Sequence, residues 1–142
     1  MSKPTGSTII PCFRYRDAQA AKKWLCSAFG FVEHLVVPDG EHGITHAQLT
    51  LGNSMIMLGS ARDDEFGKLV GPHTGPPMED LAGHSVYVIV PDVVEHYAGA
   101  VAVGAKIESD ISDQGHGGRA YTCRDLEGHV WTFGNYDPWA DV

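Results

Sequence analysis

Tyr121-Thr122-Cys123-Arg124-Asp125-Leu126-Glu127-Gly128-His129-Val130-Trp131-Thr132-Phe133-Gly134 decides the fold, because it reads as two short strands folded back about Asp125 to Gly128. An Asp carboxylate accepts local backbone hydrogen bonds, Gly takes the positive φ of a tight reversal, and the flanks alternate in character as strands do. Beyond the turn, Val130 and Thr132 point to one side and Trp131 and Phe133 to the other. The aromatic side is expected to pack beneath a helix.

Working outward, the 142 residues are 43 % hydrophobic and 20 % charged, an ordinary globular composition that argues against disorder. No apolar run approaches the roughly 20 residues of a membrane span, and the first residues lack the apolar core of a signal peptide. A soluble, cytoplasmic protein is expected. Cys12, Cys26 and Cys123 are odd in number and without paired spacing, so neither a disulfide frame nor a zinc knuckle is indicated. A formal charge of −8 repels phosphate backbones. Nucleic acid is therefore not an expected partner, while a neutral or cationic ligand stays open.

In chain order, Ser7 to Tyr15 reads as a strand, and Ala18 to Phe29 repeats apolar residues at three- and four-residue intervals as a helix does. Asp17 is placed to cap that helix and Gly30 to end it. Strands follow at Phe31–Val37, Ile44–Leu51 and Ser54–Leu58, with a turn at Gly52-Asn53. Residues 61–82, rich in Gly, Pro and acidic residues, read as a connection. The order then restarts: a strand at Ser85–Val90, Asp92 as a cap, a helix from Val93 to Ala102, Gly104 after it, a strand at Lys106–Ser109, and the opening hairpin.

An offset of about 75 residues lays Asp17 on Asp92, Gly30 on Gly104, Gly52 on Gly128 and Gly59 on Gly134, with single-residue slips. The expected organisation is one domain over 1–142, with a first βαβββ module at 7–60 and a second at 83–136.

The tandem unit, together with Ala28-Phe29-Gly30-Phe31 and Arg124 to Trp131, resembles the glyoxalase, bleomycin-resistance and extradiol dioxygenase group, the vicinal oxygen chelate superfamily, in its small single-domain bacterial form. The resemblance implies an α+β fold in which two βαβββ modules form a cupped mixed sheet, and it implies a homodimer. It also implies a divalent metal held by His, Glu or Gln on the first and last strands of each module, because such a cation needs three or four N or O donors at ~2.0–2.3 Å. Those positions fall here on Ile10, Met57, Ser85 and Thr132, and a one-residue slip brings His84 to the third. One histidine cannot hold a catalytic metal, so no metal and no cofactor is expected.

Five of the eight histidines, His34, His42, His73, His96 and His116, sit beside loops, strand edges or a helix face and are read as solvated. His129, next to the hairpin glycine, is read as pointing outward or bonding locally. Alternation places His46 opposite Ala47, Leu49 and Leu51. The same parity gathers Ile10, Cys12, Arg14, His46, Gln48, Met55 and Met57 on the inner face, with Ser85, Tyr87, Tyr121, Cys123 and Thr132 as their counterparts in the second module. Such a mixture of thioethers, phenols, amide, imidazole and guanidinium suits a small organic ligand, bound by apolar area and oriented by a few polar groups. A thiolate pair of Cys123 with His46 has nothing to bring it together. Two functions follow: a metal-free protein binding a hydrophobic or cationic small molecule, or, alternatively, a divergent metal-dependent lyase, isomerase or dioxygenase.

Overall fold

Asp17 and Asp92 each end an extended segment and begin a helix. The Asp17 carboxylate accepts from Ala20 N at 3.0 Å and that of Asp92 from Glu95 N at 3.0 Å, each satisfying one of the amides a first helical turn leaves free. The computed structural model describes residues 6–65, 84–115 and 117–140. Among these the chain forms two units, each built on one four-stranded sheet.

In the first unit, β1 (Cys12–Tyr15) leads into α1 (Ala18–Phe29), followed by β2 (Val32–Asp39), β3 (Gly43–Leu51) and β4 (Ser54–Ser60). Gly30 stops α1 in the left-handed region, at φ 82°, and its N–H closes onto Cys26 O at 3.2 Å. The sheet order is β1-β4-β3-β2, with β1 parallel to β4 and the other pairs antiparallel. Leu25, Ala21 and Ala28 of α1 are buried, as are Tyr15, Ala47, Leu49, Ile56 and Leu58 of the strands. Helix and sheet thus share one apolar layer, and each large aliphatic side chain in it contributes about 1.5–3 kcal/mol by leaving water. The opposite face of the sheet carries the polar and sulfur-bearing residues.

The second unit repeats this order. β5 (Val86–Ile89) is followed by α2 (Val93–Ala102), β6 (Lys106–Asp113), β7 (Arg119–Arg124) and β8 (Val130–Gly134), in sheet order β5-β8-β7-β6. An offset of 75 carries the parallel pair Cys12–Met57 onto Tyr87–Thr132, so the repeat read from caps and turns is a repeat of strand pairing. Trp131 and Phe133 are fully buried on the helix side, where the hairpin alternation puts them.

One local expectation changes. α2 buries Val93 and Ala100 and turns His96 inward, while Val94 and Val101 are exposed. The segment is apolar nearly all round, so spacing alone did not define its inner face. His96 is therefore not solvated: its ring lies 4.1 Å from Phe133 between centroids, and its Nδ1 is 2.6 Å from Tyr121 Oη. The connection expected over 61–82 lies, from residue 66 onward, outside the described residues, as do His73 and His116.

Candidate functional site

In the first unit, register and not proximity in sequence decides which side chains stand together. Cys12 pairs with Met57, Met57 with Gln48, and Gln48 with Leu35, which makes one row across all four strands. Thr50 pairs with both Met55 and Val32, and His46 with Val37. Paired residues share a face, so Cys12, Arg14, His46, Gln48, Met55 and Met57 lie on the side away from α1, as alternation predicts. Arg14 is half-buried, with Nη1 donating to Ser60 O at 3.2 Å. Gln48 Nε2 donates to His46 Nε2 at 3.1 Å.

Sequence reading missed the contribution of β2. Val32, Leu35 and Val37 are exposed on this same face, at 63, 46 and 43 %, and add apolar area to it. Strict alternation would put Val32 opposite Leu35 and Val37, but the register shifts between Glu33 and Leu35. A bulge adds one residue to one strand and returns the later side chains to the face that the earlier ones left.

In the second unit, Tyr87 and Thr132 pair and share the face away from α2. Tyr87 Oη donates to Tyr136 O at 2.7 Å, and burial, ahead of the other influences, raises its pKa. Thr122 is bonded to Thr132 through their hydroxyls at 2.8 Å, and Arg124 donates Nε to Glu108 at 2.6 Å and Nη1 to Gly128 O at 2.7 Å. Ile10 and Ser85 precede their strands, Ile10 half-buried and Ser85 exposed.

Tyr121 and Cys123 require correction. They pair with Phe133 and Trp131, lie on the helix side, and are essentially inaccessible. Thr122 and Arg124 hold the positions expected of them. The reason is the turn: Gln48 lies nine residues before Met57, whereas Thr122 lies ten before Thr132, its pairing equivalent. One extra residue in the second hairpin sends every β7 side chain to the other face. Burial, with the Asp125 charge adding to it, pushes the Cys123 thiol up to about 12, so it is no nucleophile at neutral pH.

The expected metal positions do not suit a metal. Met57 pairs with Cys12, one turn of the pleat beyond Ile10, and Thr132 pairs with Tyr87, beyond Ser85. Either choice along the strands offers an alkyl group, a thioether, hydroxyls, a phenol and one thiol in place of imidazoles and carboxylates. No three His, Cys, Asp or Glu side chains come together among the described residues, and His84 is exposed. A divalent cation needs such convergence.

Residues 9–133 match the model of the Glyoxalase/Bleomycin resistance protein/Dioxygenase superfamily. The chain belongs to this superfamily. Among solved structures it is similar to TioX from Micromonospora sp. ML1, at 34 % identity over 90 % of this chain and 94 % of that one, with a TM-score of 0.66. A glyoxalase/bleomycin resistance protein from Streptomyces sp. CB03234 is similar at 17 % identity over 90 and 99 % of the two chains, TM-score 0.66. Lactoylglutathione lyase from Agrobacterium tumefaciens is similar at 17 % identity over 93 and 95 %, TM-score 0.61. The last two likenesses speak for the superfamily fold alone. No curated protein matches the sequence.

Proposed function

We propose that this member of the superfamily is a metal-free binding protein for a small hydrophobic or cationic organic molecule. The ligand lies against the face of the first sheet turned away from its helix and meets Ile10, Cys12, Arg14, His46, Gln48, Met55 and Met57; the corresponding face of the second sheet carries Ser85, Tyr87 and Thr132. The observation that carries this reading is the identity of the side chains at the ligand positions, Met57 above all: a thioether stands where an enzyme of this fold would need a nitrogen or carboxylate donor. Thioethers on flexible stems instead adapt to apolar and aromatic surfaces. The exposed Val32, Leu35 and Val37 beside them supply affinity through burial, and the polar groups orient.

No helix among the described residues is long and apolar enough to cross a membrane. We take the protein to be cytoplasmic and a homodimer, since isolated sheet edges and exposed apolar faces favour association. Light scattering at micromolar concentration is expected to return twice the 15.3 kDa chain mass. A mass near that of a single chain contradicts the dimer.

Met57→Ala tests the site directly. A hydrophobic amine selected by thermal-shift screening is expected to bind the variant about 1–3 kcal/mol more weakly, the scale of one buried side chain's contact. Calorimetric titration showing equal affinity for both proteins would place the ligand elsewhere.

A further inference from the structure

The two sheets follow one pairing scheme and carry different chemistry on it. In the first unit the row across all four strands reads Cys12, Met57, Gln48 and Leu35, whereas the corresponding row of the second reads Tyr87, Thr132, Thr122 and Ser109, a hydroxyl on every strand. Paired residues share a face, so these hydroxyls stand together on the side away from α2. Thr122 and Thr132 are bonded Oγ1 to Oγ1 at 2.8 Å, which uses one hydroxyl proton and leaves the other to give. Tyr87 leans across β8, since a Cβ at Gly134 would lie 2.8 Å from its Oη, and its ring is 41 % exposed. One row along, Lys106 pairs with Arg124, whose Nε is bonded to Glu108, and Lys106 Nζ lies 3.9 Å from the same carboxylate. Cationic donors and an anionic acceptor thus border the hydroxyls.

We propose that this face of the second sheet is a binding site in its own right, for a ring polyol of the sugar type. Every hydroxyl of the row can both give and accept, as can every hydroxyl of a sugar, so the two sets match whatever the direction of any single bond. Arg124 and Glu108, a donor beside an acceptor, suit two adjacent hydroxyls in the same way. The exposed Tyr87 ring offers an apolar surface to the C–H side of the sugar. Charged ligands fare worse, because an oxyanion beside Arg124 also meets Glu108, and an ammonium beside Glu108 also meets Arg124 and Lys106. A purely apolar ligand takes water from hydroxyls it cannot bond.

The test uses the full chain and follows the β7 and β8 amides by NMR while methyl glucoside, methyl mannoside, methyl galactoside, cyclohexanol and inorganic phosphate are titrated in separately. At least one glycoside is expected to shift these amides saturably and to bind about tenfold more tightly than cyclohexanol or phosphate, the scale of a net hydrogen bond gained. In the double variant Thr122→Val, Thr132→Val, which keeps the shape and β-branching of both side chains, that affinity is expected to fall about tenfold. Cyclohexanol or phosphate binding as tightly as every glycoside, an affinity that survives in the double variant, or no shift with any glycoside overturns the assignment. The titrations of the parent protein decide the matter even where the double variant fails to fold. Met57→Ala reports on the first sheet alone, so failure of the binding reading above and failure of this one are told apart.

Discussion

Asp125→Ala is expected to be the most damaging single truncation in the second module, costing about 3 kcal/mol and lowering the thermal midpoint by about 10 °C. Asp125 is only 6 % exposed, and its carboxylate holds the hairpin from inside. Oδ1 accepts from Glu127 N at 3.0 Å and His129 N at 3.1 Å, and Oδ2 accepts from Trp131 Nε1 at 3.1 Å. Alanine leaves these donors facing a cavity, and the indole N–H, fully inside, has no route to water. Each stranded donor costs on the order of 1–3 kcal/mol, partly relieved where solvent reaches the backbone amides. Asp125→Asn separates the contributions: its oxygen still serves the turn, but its NH2 confronts the Trp131 N–H, so a loss of about 1–2 kcal/mol is expected. Thermal unfolding followed by Trp fluorescence measures both. An Asp125→Ala protein as stable as the parent would remove the carboxylate from its place as organiser of the hairpin.

Alkaline lability is the second large effect. Burial, then the Asp125 charge, pushes the Cys123 thiol from 9.0 up to about 12, and burial, then Cys123 and Tyr97, raises the neighbouring Tyr121 phenol well above its ordinary 10.0. Both groups are neutral when protonated. In the unfolded chain they lose protons from about pH 9 and 10, whereas in the folded protein they keep them to much higher pH. The unfolded chain therefore binds fewer protons across this window, and stability falls as pH rises. Their contribution is whole below about pH 9 and lost progressively between about 9 and 12. The midpoint temperature is expected to be flat from pH 7 to 8.5 and to fall steeply above 9, with a shallower fall in Cys123→Ala. A midpoint unchanged up to pH 11 would show that these groups ionise without unfolding the core.

The punctuation of this chain is legible in its sequence, and the handedness of its faces less so. Asp17, Gly30 and Asp92 declare the helices because capping chemistry is local: a carboxylate accepts from an amide three residues on, whatever lies beyond. The hairpin alternation of Trp131 and Phe133 is equally local, and both sit in the core. Strand faces are set otherwise, by a count of residues in which one insertion reverses the result. The bulge after Glu33 brings Leu35 and Val37 to the exposed face beside Gln48 and His46, and the longer second turn carries Tyr121 and Cys123 away from it. His46, Gln48 and Met57 escape both displacements, since the Gly52-Asn53 turn between β3 and β4 is short and keeps an unbroken register. His96 escaped recognition because α2 offers several apolar faces, and only Tyr121 and Phe133 across from it select one.

The binding function proposed above works without a metal, because other residues hold the metal positions. Its most direct test is elemental analysis of protein purified without chelator or affinity tag, paired with thermal unfolding before and after EDTA. Metal far below one equivalent per chain and a midpoint unmoved by EDTA are the expected results. Zinc, nickel or iron near one equivalent, with a midpoint or a turnover that collapses on chelation, would contradict the assignment of Ile10, Met57, Ser85 and Thr132 and establish a metal-dependent enzyme in its place.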